Sequence, residues 1–206
     1  MKLKNVCVYC GSSPGKSPVY ALAARAMGYE LATRQMTLVY GGGRAGLMGE
    51  VARATLEKGG RVIGVIPAAL REQELAFHEL AELHVVNSMH ERKALMAELS
   101  DGFVAMPGGY GTLEEIFEML TWLQLGLHCK PCGFVNTAGF FDRLFDFLDK
   151  TVELDFIAAP HRDLILKTDE PAAMLKALLA YIPVRMNKSE WVLKMEKRHN
   201  KSVDLP

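Results

Sequence analysis

The chain contains 206 residues, of which 50% are hydrophobic and 23% charged, and its 24 basic residues balance 24 acidic ones. This neutral balance removes the basic surface on which sequence-independent nucleic-acid binding depends, so no nucleic-acid partner is expected. The apolar stretches fall short of the ~20 residues that cross a bilayer, and the N-terminus lacks the features of a signal peptide, so we expect a cytoplasmic protein without a membrane partner.

Short apolar runs rich in β-branched residues alternate with longer segments of helical period along the chain. The predicted strands are residues 6–10, 37–40, 61–66, 83–86, 102–106 and 132–135, and the predicted helices are residues 18–33, 47–58, 89–99, 113–127, 140–152 and 171–181. This alternation is typical of parallel strands joined by crossover helices. We therefore expect an α/β fold, a doubly wound, Rossmann-like parallel sheet with helices on both faces.

The length suits one domain, which we place at residues 1–185. Residues 186–206 are mostly polar and are expected to form a loosely held tail whose deletion is tolerated. Within the domain, Ser17 and Pro18 are a typical N-cap and first helical residue. Residues 88–91 and 112–115 both match the S/T-x-x-E capping box, which predicts helix starts there.

The predicted helix at residues 113–127 is apolar almost all round. One face of a sheet cannot cover such a helix, so a further helix or a second subunit must pack over it. We expect a homodimer that forms through this helix.

Four cysteines form two C-x-x-C pairs, Cys7 with Cys10 and Cys129 with Cys132. Side chains alternate between faces along a strand, so Cys7 and Cys10 should point to opposite sides of the sheet and cannot share a metal. The second pair precedes a strand rather than a helix, which is untypical of a redox pair. We expect neither a metal site nor a cofactor.

Three predicted strands run directly into glycine-rich turns, at residues 11–15, 41–46 and 108–112. The carboxyl ends of parallel strands share one edge of the sheet, where ligands of such folds bind. Glycine lets a ligand approach the backbone closely, and the amides of the following helix attract anions. These turns predict a phosphate site, with Gly11, Ser12, Gly42 and Gly43 among the binding residues.

Known nucleotide motifs fit these turns incompletely. The Gly41-x-Gly43-x-x-Gly46 spacing matches the dinucleotide fingerprint, but the next strand ends at Ile66-Pro67 without the acidic residue that would bind a ribose. A Walker lysine is absent from the sequence as well. A nicotinamide-dependent dehydrogenase stays an alternative hypothesis that these residues do not favour.

Charged residues near the third turn fit two interpretations each. We expect Glu115, in the first turn of its helix, to be ionised, and it could complete the capping box with Thr112 or serve as a functional carboxylate. Arg92 and Lys93 lie at the start of another predicted helix, where basic groups oppose the helix dipole. They are either a solvated pair or the contacts of an anionic ligand.

The chain closely resembles the Lonely Guy family. The resemblance is carried by the P-G-G-x-G-T-x-x-E motif at residues 107–115, the M-x-x-R-K motif at 89–93 and the glycines at 41–43, and it extends over nearly the whole chain except the tail. Members of that family are phosphoribohydrolases, which hydrolyse the N-glycosidic bond of cytokinin riboside 5′-monophosphates, and often AMP, to give free base and ribose 5-phosphate.

The resemblance also implies roles for individual residues. Arg92 and Glu115 match the catalytic arginine and glutamate of the family. The substrate-binding positions of the family include these two residues. They correspond here to Glu74, Arg92, Lys93, Gly109, Tyr110, Gly111, Thr112, Glu115 and Thr121.

The main rival hypothesis is a non-catalytic carrier of a nucleotide or of the molybdenum cofactor, because such carriers have a similar fold and a similar glycine turn. The presence of both Arg92 and Glu115 favours the hydrolase. Sequences of this type have also been labelled lysine decarboxylases, but none of the lysines is indicated as a pyridoxal phosphate site.

Overall fold

The computed structural model describes residues 3–71, 76–77 and 80–184. Its strands are β1 (Asn5–Tyr9), β2 (Thr37–Tyr40), β3 (Val62–Pro67), β4 (Glu82–Val86), β5 (Gly102–Ala105), β6 (Cys132–Val135) and β7 (Ile165–Thr168). They form one sheet in the order β4-β3-β2-β1-β5-β6-β7, with every pairing parallel. The strand order changes direction between β1 and β5, as in a doubly wound sheet, so the predicted fold class is confirmed.

Helices connect these strands. They are α1 (Pro18–Thr33), α2 (Gly46–Glu57), α3 (Met89–Leu99), α4 (Tyr110–Gln124), α5 (Asp142–Glu153), α6 (Ala159–Arg162) and α7 (Pro171–Ala180). The six predicted strands and six predicted helices are all present, and apart from α4 their ends differ from the prediction by at most two residues. The prediction missed α6 and β7, and the predicted tail lies outside the described residues.

Two hydrophobic cores lie on opposite faces of the sheet. One contains Val6, Val8 and Cys10 of the β1 segment and packs against α1, α2 and α7. The other contains Cys7 and Tyr9 and packs against α3, α4 and α5. The prediction that Cys7 and Cys10 point to opposite faces is therefore confirmed.

Helix capping agrees with the sequence at two starts. The Ser17 hydroxyl accepts a hydrogen bond from the Val19 amide at 3.4 Å, with Pro18 as the first helical residue of α1. At α3 the Ser88 hydroxyl accepts from the Glu91 amide at 3.1 Å, and the Glu91 carboxylate accepts from the backbone amide that precedes Ser88. Both predicted caps form.

The predicted capping box at residues 112–115 is wrong. Helix α4 begins three residues earlier than expected, at Tyr110, with Gly109 as an N-cap that has no side chain to offer. Thr112 is therefore the third helical residue, and its hydroxyl oxygen lies 2.1 Å from the point that a Cβ of Gly108 would occupy. Glu115 belongs to the second turn of α4, so capping does not explain its presence.

In the described ranges, no helix is long and apolar enough to cross a membrane. Likewise, these ranges contain no group of three or more histidine, cysteine, aspartate or glutamate side chains that could hold a metal ion.

Candidate active site

The three glycine turns meet where the strand order reverses. The Gly11 amide donates to the carbonyl of Pro107 at 3.0 Å, which joins the turn after β1 to the turn after β5. The Gly11 carbonyl accepts from the Leu47 amide at 2.9 Å, and a Cβ at Gly46 would lie 2.3 Å from the backbone of Ser12. The turn before α2 is thus packed against the same point, as the sequence predicted.

A cavity of about 270 Å³ opens between the turns after β1 and β5. Residues 11–15 and 107–109 line it together with the rings of Tyr20 and Phe140, which contact each other edge to face with centroids 5.8 Å apart. Ser12 is exposed at this cavity. The switch point of the sheet therefore carries an open pocket, as expected for a ligand site in this architecture.

The N-terminus of α4 forms one side of this site. Gly109, Tyr110 and Gly111 are exposed, and a Cβ at Gly109 or Gly111 would have no neighbour within 4 Å. The first amides of a helix have no partner within the helix, and no side chain caps α4. This end of the helix is consequently available to an anion such as a phosphate.

Arg92 of α3 and Glu115 of α4 face each other beside these turns. Arg92 Nη2 lies 3.7 Å from Glu115 Oε1, and the two residues are only 5% and 9% exposed. Arg92 Nη2 also donates to the carbonyl of Gly41, at the end of β2, at 3.4 Å. Because Arg92 Nε is buried and finds no hydrogen-bond partner in the described chain, the guanidinium has a further donor to offer.

Glu115 lies in a buried environment with a low effective dielectric constant. Desolvation raises the pKa of the Cys7 and Cys10 thiols and of the Tyr9 hydroxyl well above their ordinary values, and the negative charge of Glu115 raises all three further. Charges interact more strongly in such an environment than in water. A carboxylate here can therefore act strongly on a cation that forms nearby.

Lys93 lies one position beyond Arg92 and is 9% exposed. Its ammonium forms an ion pair with Glu114 and a second with Glu118 Oε1 at 3.2 Å, both from α4. The hydrogen bond to Glu114 raises the pKa of Lys93, and the bond to Glu118 adds to this. Both basic residues that the sequence singled out are thus buried in ion pairs, which excludes the solvated-pair interpretation.

Comparisons with known proteins identify the family of this chain. A family model described as "Possible lysine decarboxylase" matches residues 48–178, more than half of the chain. A protein of Oryza sativa subsp. japonica named "Probable cytokinin riboside 5′-monophosphate phosphoribohydrolase" is 50% identical over 183 residues, which cover 89% of this chain and 81% of that protein. A cytokinin riboside 5′-monophosphate phosphoribohydrolase of Arabidopsis thaliana is 46% identical over 193 residues, with 92% and 85% covered. The chain belongs to the Lonely Guy family.

Solved structures of molybdenum cofactor proteins have a similar fold. The molybdenum cofactor carrier protein of Chlamydomonas reinhardtii matches with a TM-score of 0.66 and 23% identity, covering 88% of this chain and all of that chain. A molybdenum cofactor binding protein of Rippkaea orientalis matches with a TM-score of 0.64 and 19% identity, covering 85% and 95%. At these identities the likeness shows the fold alone.

Thr121, one of the substrate-binding positions expected from the Lonely Guy family, lies apart from residues 109–112 within one chain. Thr121 is exposed on α4, and its hydroxyl donates to the carbonyl of Phe117 at 2.7 Å. It lies nine positions beyond Thr112, about 14 Å along a helix. Glu74 lies outside the described residues.

Gly42 and Gly43 contact the protein's own backbone. The Gly42 carbonyl accepts from the Phe77 amide at 2.9 Å, and Gly43 forms an isolated bridge with Ala76. Both glycines are buried, and Gly42 has a φ of +79°, which favours glycine. The structure therefore gives them a role in holding residues 76–77, which sequence reasoning had not anticipated.

Sequence reasoning also missed Glu118 and the two aromatic rings of the cavity. The four-residue spacing of Glu114 and Glu118 places both on one face of α4, a signal that was available in the sequence. Tyr20 and Phe140 are far apart in the chain and carried no such signal. Their proximity depends on how α1 and the segment after β6 pack.

Proposed function

We propose that the protein hydrolyses the N-glycosidic bond of adenine-type nucleoside 5′-monophosphates, cytokinin riboside 5′-monophosphates and AMP, to release free base and ribose 5-phosphate. The observation that carries the proposal is the buried pair of Arg92 and Glu115 beside the open N-terminus of α4. The names of the relatives at 46% and 50% identity support this reaction.

The geometry supports separate roles for the amides at the start of α4 and for Glu115. The amides of residues 109–112 bind the 5′-phosphate at the positive end of the α4 dipole. Glu115 lies three positions beyond Thr112, about 4.5 Å along the helix, which places it near the ribose of a nucleotide held by its phosphate. Binding the phosphate in this way positions the scissile bond before the reaction starts.

Glu115 and Arg92 then act on the reacting atoms. Cleavage of a glycosidic bond passes through an oxocarbenium-like state, and the negative charge of Glu115 stabilises its positive charge while the carboxylate orients the attacking water. Arginine stays protonated in proteins, so Arg92 serves as a hydrogen-bond donor to the departing base or the phosphate rather than as an acid.

A direct assay tests the proposal. Incubation of the purified protein with AMP and, separately, isopentenyladenosine 5′-monophosphate should release adenine and isopentenyladenine, measured by liquid chromatography. The ratio of kcat/KM for the two substrates identifies the preferred one. A nucleotide carrier would bind AMP in calorimetry and release no base, and that result would contradict the proposal.

Two other hypotheses fit the site less well. Within the segment that matches the dinucleotide fingerprint, Gly42 and Gly43 contact residues 76–77 instead of an open pocket. Strand β3 ends at Pro67 without a carboxylate that could bind a ribose. Both observations argue against a dehydrogenase. A Schiff base to pyridoxal phosphate needs a neutral amine, whereas two carboxylates keep the Lys93 ammonium charged and raise its pKa. Lys93 is therefore unsuited to a decarboxylase of that type.

We further propose that the active protein is a cytoplasmic homodimer that forms through α4. Leu125 and Leu127, just after the last residue of this helix, are 49% and 68% exposed. The exposed Thr121 lies one turn before Leu125, whose amide donates to its carbonyl at 2.9 Å, so it can belong to the same interface. Light scattering should give twice the mass of one chain. Leu125→Glu combined with Leu127→Glu should give the monomer mass, and an unchanged mass would exclude this surface as the interface.

A further inference from the structure

Gly41 lies just after the end of β2, where the guanidinium of Arg92 reaches the backbone. Arg92 Nη2 donates to the Gly41 carbonyl at 3.4 Å, and a Cβ at position 41 would lie 2.1 Å from the same nitrogen and 3.2 Å from Arg92 Cζ. Arg92 Nη1 donates to Met89 Sδ at 3.7 Å, so the protein holds both terminal nitrogens. The absence of a side chain at position 41 therefore creates the space that Nη2 occupies.

The backbone does not itself require glycine at position 41. The next residue, Gly42, has a φ of +79°, whereas Gly41 does not have a positive φ. The nearest neighbours of a Cβ would be the Arg92 guanidinium and, at 3.3 Å, Met48 Sδ, which lie towards the ends of flexible side chains. These side chains can move to accommodate an alanine, so the fold should tolerate one. Glycine at this position is explained by the place of Arg92 and not by the turn.

We propose that Gly41 is a positioning residue that holds the Arg92 guanidinium beside Glu115, through its carbonyl and through the space that its missing side chain leaves. This inference rests on the proposed function and deepens it, because Arg92 is the hydrogen-bond donor in the proposed reaction. Non-bonded atoms approach to about 3.5 Å, so a methyl group at position 41 would displace Nη2 by about 1 Å or more. A displacement of about 1 Å in a reacting geometry can lower a rate by about 10²-fold.

Gly41→Ala should therefore lower kcat for base release from AMP by about 10²-fold. The loss should fall on kcat far more than on KM, since in the proposed mode of binding the amides of residues 109–112 hold the phosphate. Gly102→Ala, at the start of β5, is the matched control. Its methyl group would lie 3.1 Å from Leu3 and 3.3 Å from Pro131, so it can cost stability but should leave kcat unchanged.

Two further measurements test whether the effect passes through Arg92. Lysine has no counterpart of Nη2, so in an Arg92→Lys background Gly41→Ala should change kcat less than twofold. A crystal structure of the Gly41→Ala protein should show the guanidinium displaced by about 1 Å or more, with the backbone of residues 40–43 unchanged. The crystal structure remains a test if the Arg92→Lys protein is too slow to assay.

Each of four results would overturn the inference. The first three are a kcat of Gly41→Ala within twofold of the parent, a guanidinium that has not moved in its crystal structure, and a full loss of kcat from Gly41→Ala in the Arg92→Lys background. The fourth is a Gly41→Ala protein that does not fold, because glycine would then be required by the turn. If the wild-type protein releases no base but the guanidinium moves as expected, the proposed function fails and the positioning of Arg92 by Gly41 stands.

Discussion

Glu115→Gln should lower kcat for base release from AMP by about 10²–10³-fold, the loss typical of removing one electrostatic contact to a transition state. Glutamine has nearly the same shape as glutamate but lacks the charge that stabilises an oxocarbenium-like state. Glu115 is 9% exposed and lies 3.7 Å from Arg92, so its charge acts in a site with little water. KM should change much less, because in the proposed mode of binding the phosphate is held by the amides of residues 109–112 and not by Glu115.

The fold should survive this change. Arg92 keeps its hydrogen bond to the Gly41 carbonyl, and no helix cap is lost, because Gly109 is the N-cap of α4. Circular dichroism of the variant should match the parent. Glu98→Gln, an exposed position on α3, serves as the control and should retain full activity. A Glu115→Gln protein that is folded and within twofold of the parent would exclude Glu115 from catalysis.

The sequence predicted most of the fold because its signals are local. Six strands read as short apolar runs, and proline, serine and glycine marked several helix starts. The edge strand β7 was missed because Ile165–Thr168 is only half-buried and includes Lys167, so it lacks the continuous apolar run of the equally short strands β2, β5 and β6. The start of α4 was placed three residues too late because Thr112 matches a cap, whereas the glycines before it let the helix begin earlier.

Part of the candidate site was predictable because its residues also lie in local sequence motifs. The glycine turns and the charges at Arg92, Lys93 and Glu115 stand in recognisable motifs. That Arg92 meets Glu115 follows only from the packing of α3 beside α4 on one face of the sheet. The contacts of Gly42 and Gly43 with residues 76–77 likewise join distant segments, so no local pattern indicated them.

Glycine at position 111 offers the sharpest test of the phosphate site. Gly111 is the second residue of α4, and a Cβ there would meet no atom within 4 Å, so Gly111→Ala fits without strain. Alanine favours a helix over glycine by about 0.5–1 kcal/mol, and the melting temperature should therefore rise slightly. The methyl group would nevertheless stand where the phosphate approaches the amides, and kcat/KM for AMP should fall by about 10²-fold.

Gly108→Ala provides the contrast, since a Cβ at Gly108 would lie 2.1 Å from the Thr112 hydroxyl and 2.9 Å from the Gly11 amide nitrogen. This variant should lose stability and activity together. Gly111→Ala should lower activity without lowering stability, because we expect glycine at position 111 to be required for ligand binding and not for the turn. A Gly111→Ala protein with the parent's KM and kcat would mean that the phosphate does not bind at the N-terminus of α4.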